Sequence, residues 1–139
     1  MKGRILAIDP GGRRIGLALT DPLRIIASPY RTLLVRDDTD ALKQLLEVIE
    51  DQEVVEIVIG LPVNTQRQDT AQTRRVREFA ERLKAMVDIP VAFIDESFSS
   101  VEAERMLHQM GKKIGDDKGA VDRLAATVIL EQYLAELRH

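Results

Sequence analysis

The sequence predicts an α/β fold: a mixed five-stranded sheet, three strands antiparallel and then parallel ones, with helices on both faces. Three observations lead there. Apolar runs near the start follow one another across turns too short to hold a helix. Beyond residue 37 such runs alternate with stretches whose apolar residues recur at helical spacing. The run Val54 to Ile59 is too short and too β-branched for a helix, as expected of a strand buried on both faces.

Taken in order, Ile5 to Asp9 is a strand ended by the turn Pro10-Gly11-Gly12, and Ile15 to Thr20 is the next. So short a connection makes the two an antiparallel hairpin. A third strand lies between Ile25 and Val35, its start blurred by Pro29. Leu42, Leu45, Leu46 and Ile49 then mark a helix whose start is signalled by Asp38, Thr39 and Asp40. The strand from Val54 stops at Gly60-Leu61-Pro62, and a polar loop runs from Asn64 to about Asp69. Val76, Phe79, Ala80, Leu83 and Val87 form an amphipathic helix closed by Pro90. Val91 to Ile94 is a strand ending at Asp95-Glu96. Ser99 and Glu102 have capping-box spacing, which predicts a helix to about Met110, followed by a charged loop from Gly111 to Gly119. The last helix carries Val121, Leu124, Ala125, Val128 and Leu137 along one stripe. The order β-β-β-α-β-α-β-α-α is the layout of RNase H-like folds and of the halves of actin-like ATPases.

Composition removes several classes of function. With 139 residues, 45% of them hydrophobic and 31% charged, the chain is expected to form one domain, residues 1–139. It has no cysteine, so disulfides, zinc ribbons and thiol nucleophiles are excluded. The opening MKGRILAIDPGG has an apolar run too short for a signal peptide or membrane span, so a cytoplasmic protein without a membrane partner is expected. The net charge of −3 does not advertise a nucleic-acid binder. Basic residues are nevertheless clustered at Arg13-Arg14, at Arg74, Arg75 and Arg77, and at Lys112-Lys113.

The acids are the informative residues. Asp9 ends the first strand, which is the most central of the proposed sheet, and Asp95 and Glu96 end the last. Ligands of parallel sheets gather at such carboxyl ends. Asp122 opens the final helix and shares a side with Ala126, Ile129 and Tyr133, which places it at the core boundary. Acids held together repel, and a hard divalent cation with oxygen ligands is the usual reason for tolerating this. Asp9, Glu96 and Asp122 are therefore candidate catalytic acids and ligands for Mg²⁺ or Mn²⁺. A pair of such ions can stabilise both the attacking and the leaving oxygen of a phosphodiester. Adjacent strand residues point to opposite faces, so only one of Asp95 and Glu96 should face the cluster, and Glu96 is expected there. Gly11, Gly12 and Gly16 could each let a phosphate approach the backbone closely.

At this point the chain resembles the YqgF (RuvX) family. AIDPGGRRIGLALTD from Ala7 to Asp21 is similar to its opening motif, and IGLPVN from Ile59 to Asn64 to its second. VREFAERL from Val76 resembles the helix that follows. DESFSSVEAERML from Asp95 and KGAVDRLAATVILEQYL from Lys118 resemble the third and last motifs. The resemblance implies an RNase H-like fold related to the RuvC resolvases and metal-dependent cleavage of nucleic-acid phosphodiesters. It points first to maturation of the pre-16S rRNA end, with junction-resolving DNA cleavage as the alternative. Asp9, Glu96 and Asp122 match the family's acidic positions, and Arg13 and Arg14 its basic turn. Two features depart from the pattern: the segment from Thr65 to Asp69 lacks a glycine, and Ser97 stands where an arginine is usual.

Arg13, Arg14, Lys112 and Lys113 are expected to flank the acids and hold the phosphate backbone of a pre-rRNA or DNA partner. A monomer and a homodimer are both compatible with this. An actin-like nucleotide-binding protein would need a second lobe, which 139 residues do not supply. A non-catalytic nucleic-acid- or ribosome-associated module would retain the fold but would not bind ions among its acids.

Overall fold

A computed structural model describes residues 3–64, 66, 68–96, 105 and 119–138. Its strands are β1 (Arg4–Asp9), β2 (Arg14–Thr20), β3 (Ala27–Leu34), β4 (Val54–Leu61) and β5 (Val91–Asp95). The helices are α1 (Asp38–Asp51), α2 (Ala71–Lys84) and α3 (Ala120–Leu137). The strands form one sheet in the order β3-β2-β1-β4-β5. β1 pairs antiparallel with β2 and β2 with β3, while β4 runs parallel to both β1 and β5. The mixed sheet and its central first strand are as expected. The predicted helix from Ser99 to Met110, the loop from Gly111, and Ser97 lie outside the described residues, apart from a single helical residue, Arg105.

Alternation along the strands divides the core in two. Leu6 and Ile8 pack with Leu42, Leu45, Phe79 and Leu83, beneath α1 and α2. Ile5 and Ala7 point the other way and pack with Val58, Ala126, Ile129 and Leu130, beneath α3. Ile5, Leu6 and Ile8 are fully buried, and each such side chain stabilises the fold by about 1.5–3 kcal/mol.

Local chemistry sets the element ends. Asp37 caps α1, its carboxylate accepting from the Asp40 amide at 2.8 Å. Thr70 and Thr73 form a capping box at α2. The blurred start of the third strand has a cause: the register of β2 against β3 shifts between Leu17 and Ala18, and Tyr30 is bulged beside Pro29. β3 is an edge strand, where a proline and a bulge are tolerated. The glycine-free loop turns on Asn64, whose side-chain oxygen accepts from the Gln66 and Gln68 amides, each at 2.9 Å.

Two expectations about stripes are corrected. Val87 packs against the core but lies beyond the end of α2. Leu137 is 51% exposed, and the stripe of α3 that meets the sheet is Ala126, Ile129, Leu130, Tyr133 and Leu134, on the side of Asp122. α3 is apolar over most of its circumference, so periodicity alone could not select its buried face.

The end of the sheet away from the acids is tied by charge. The Tyr133 hydroxyl donates to Glu56, and Arg24 stands 3.3 Å from the same carboxylate. Burial and the adjoining Glu56 push the Tyr133 hydroxyl up to about 12, so it remains a donor. Tyr133→Phe should cost about 1 kcal/mol in chemical denaturation, since Glu56 keeps Arg24 but loses a donor. An unchanged midpoint would show that this hydrogen bond contributes nothing.

Candidate active site

The carboxyl ends of the parallel strands gather the candidate acids. Asp9 continues the Ile5–Ala7 series and so faces α3. Glu96 follows β5 directly, its amide donating to the Leu61 carbonyl at 3.1 Å, which extends the strand pairing by one residue. The Asp9 and Glu96 side chains are hydrogen-bonded to each other, which requires a proton between them. Burial, then the charge of Glu96 and this hydrogen bond, push Asp9 up to about 9, and Asp122 adds a smaller effect in the same direction.

Glycines make room for this arrangement. A Cβ on Gly60 would stand 2.9 Å from the Glu96 carboxyl group and 2.4 Å from Ile129. A Cβ on Gly16 would stand 2.0 Å from the Asp122 carbonyl oxygen. Gly16 is the cross-strand partner of Asp9, so the backbone of α3 rests on the sheet right beside that acid. The close approach at Gly16 is therefore taken by the protein's own helix, not by a phosphate. Gly11 serves its turn, where a Cβ would meet the Arg14 carbonyl at 2.1 Å; a Cβ on Gly12 would meet none of the described residues.

Asp122 sits in the first turn of α3, where the helix dipole favours an acid. Burial pushes its carboxyl up, and the charges of Arg14 and Arg123 oppose that shift. Arg14 Nε lies 3.2 Å from Asp122 Oδ2 but is not aligned as a hydrogen bond, so this buried oxygen has no hydrogen-bond donor among the described residues. Among those residues, too, no three acids stand close enough to hold one ion as they are. Asp9 and Glu96 touch, while Asp122 acts on Asp9 through its charge and is engaged by Arg14.

Asp95 faces the other side of the sheet. It is exposed and its charge acts on Arg77 of α2, which is itself paired with Asp69 at 3.0 Å. Arg13 is exposed in the turn beside the acids. Lys112 and Lys113 lie outside the described residues. Sequence reasoning passed over Arg123 and Thr32. Arg123 Nη1 donates to Thr32 Oγ1 at 3.1 Å, and Thr32 donates to the Gly119 carbonyl at 2.9 Å, which ties the start of α3 to β3. The one signal was the basic residue next to Asp122; Thr32 sits 91 residues from Arg123 in the chain, and nothing local marks it.

Among the described residues no helix is long and apolar enough to cross a membrane. Comparison with known proteins agrees with this fold. Thermus thermophilus RuvC superposes with a TM-score of 0.61 at 13% identity, covering 97% of this chain and 96% of that one, a likeness of fold. A protein of Koribacter versatilis named "Putative pre-16S rRNA nuclease" is 46% identical over 132 residues, 95% of this chain and 86% of its own. A Roseiflexus protein of the same name is 38% identical over 136 residues, 98% of this chain and 96% of its own. The model of the RuvX family, described as Holliday junction resolvase, matches residues 3–136, and the chain belongs to that family.

Proposed function

We propose that this protein is a metal-dependent nuclease that hydrolyses nucleic-acid phosphodiesters at Asp9, Glu96 and Asp122, with the 16S rRNA precursor as its substrate. The observation that carries the reading is the Asp9–Glu96 pair: two acids from the ends of different strands, both partly buried and hydrogen-bonded to each other. The effects raising Asp9 are burial, Glu96 and Asp122, whereas Arg14 and Arg123 act on Asp122. The substrate is supported by the names of the relatives above.

The donor set fits Mg²⁺ or Mn²⁺. It is made of carboxylate oxygens, which hard cations prefer, and it includes the buried Asp122 oxygen that no described donor satisfies. Asp9, Glu96 and Asp122 would hold the ions, two in number, which when bound stabilise charge on the attacking and leaving oxygens. Arg14 is 43% exposed, so its pairing with Asp122 is weak enough to exchange for a substrate phosphate. Arg13 and Arg14 then hold the strand across the acids by backbone contacts that carry no sequence preference.

The direct test is cleavage by the purified protein of matched pre-16S RNA, duplex DNA and four-way junction, with Mg²⁺, Mn²⁺ or chelator. Cleavage of the RNA alone supports the reading. Preference for the junction would favour the activity in the family's description, and no metal-dependent cleavage of any substrate would overturn it.

Replacing Arg13 and Arg14 by alanine should weaken binding and flatten its salt dependence. Removing one arginine–phosphate interaction lowers the logarithmic slope by about 0.7–0.9. An unchanged slope in a binding titration against salt would remove both arginines from the interface.

A further inference from the structure

On the far side of the Pro10–Gly12 turn from the acids lies an open cavity of about 140 Å³ that the chemistry above does not use. Its floor is apolar, built by Ile15, Val76 and Phe79. Its polar lining comes from two helix starts: Asp38 in the first turn of α1, and Gln72 and Arg75 in the first turns of α2. Pro10, Gly11 and Gly12, the three residues that follow Asp9, also line it.

We infer that this cavity is a nucleobase subsite, which takes one unstacked base of the substrate strand next to the phosphate held at the acids. The inference rests on the nuclease reading and deepens it. Continuity comes first. The cavity lies on the α1/α2 face while Asp9 faces α3, so a strand reaching one from the other crosses the carboxyl edge of the sheet at Pro10–Gly12, and Gly12 presents no side chain to obstruct it. Size is the second reason. The cavity is well below the roughly 300 Å³ at which drug-sized ligand sites begin, so it suits one flat ring system.

Chemistry is the third reason. An apolar floor with a donor and an acceptor above it matches a heteroaromatic ring better than a bare phosphate or a hydrocarbon. The Arg75 guanidinium offers donors to ring and carbonyl acceptors, while Asp38 accepts from an exocyclic amine and Gln72 does either. Guanine, adenine and cytosine each carry an exocyclic amine together with a ring or carbonyl acceptor, which these residues complement. Uracil has no exocyclic amine for Asp38. Arg77, two residues on and so on the other side of α2, is held by Asp69 at 3.0 Å, whereas Arg75 lines the cavity.

The test uses the full chain and short single-stranded oligoribonucleotides in which each nucleotide near the cleaved bond is replaced in turn by an abasic one. Wild type should lose roughly five- to hundredfold in binding when one particular base is removed. Restoring guanine there should recover more affinity than restoring uracil. The decisive variant is Gly12→Leu, because a Cβ at that position meets none of the described residues, so a bulky side chain is added at the cavity lining without straining the fold. In Gly12→Leu the base and its abasic replacement should bind alike, and Arg75→Ala should lose affinity only for the intact base. The subsite is overturned if no single base matters to wild type. It is equally overturned if the base dependence survives in Gly12→Leu, or if Arg75→Ala weakens intact and abasic strands equally, as a mere phosphate ligand would. A wild type that neither binds nor cuts an intact strand is a different result, which overturns the nuclease reading itself and the subsite with it.

Discussion

Asp9→Asn should yield a folded protein that no longer cleaves. Asparagine has the same shape, and its amide can donate to Glu96 where a shared proton now joins the two acids. No cavity opens, so the thermal midpoint should hold. Cleavage should fall by more than the ~10²–10⁴-fold that accompanies loss of a general base alone, because positioning and charge stabilisation are removed together. Nucleic-acid binding should survive or tighten, since a negative charge next to the phosphates is gone. Metal-dependent cleavage and equilibrium binding, measured side by side at matched stability, separate these effects. Undiminished cleavage would assign the activity to another site or to a contaminant.

Gly16→Ala should be strongly destabilising for a change of one methyl group. Its Cβ would fall 2.0 Å from the Asp122 carbonyl oxygen and 2.4 Å from the carbon bearing it, both backbone atoms that cannot rotate away. Either β2 or the start of α3 must shift. Overpacking of this kind costs about 3 kcal/mol or more, which lowers the melting midpoint by roughly 10 °C. Asp122 moves with the helix, so metal-dependent activity should fall even where the variant remains folded. Gly12→Ala is the internal control: its Cβ meets nothing within 4 Å among the described residues, and it should be neutral or slightly stabilising. If the two variants melt together, α3 does not rest on β2 as described.

Much of the sheet was legible because its strands obey local rules. The period-2 alternation, the short hairpin turn and the change to helical spacing after Asp37 all act within a few residues. Boundaries followed where a cap was visible, as at Asp38–Asp51. They failed where chain beyond the element decided: Val87 reads as one more turn of α2, yet the helix ends at Lys84 and Val87 reaches the core from the connection. α3 failed for another reason. With apolar residues on nearly every side, its sequence offers several equivalent stripes, and packing against Ile5, Ala7 and Val58 selects one.

The sequence by itself determined that an acid ends each of the two strands, that another opens the last helix, and that only one of Asp95 and Glu96 can share a face with Asp9. The structure decided which: Ile94 packs on the face of α3, and Glu96 lies two residues further on. Tertiary structure decided what surrounds those acids. It placed the helix backbone in the space above Gly16, turned Arg14 onto Asp122, and left Asp9 with Glu96 as its partner. These outcomes depend on distances between residues far apart in the chain. Local sequence sets the direction in which a side chain leaves its strand, but not how closely another element approaches it.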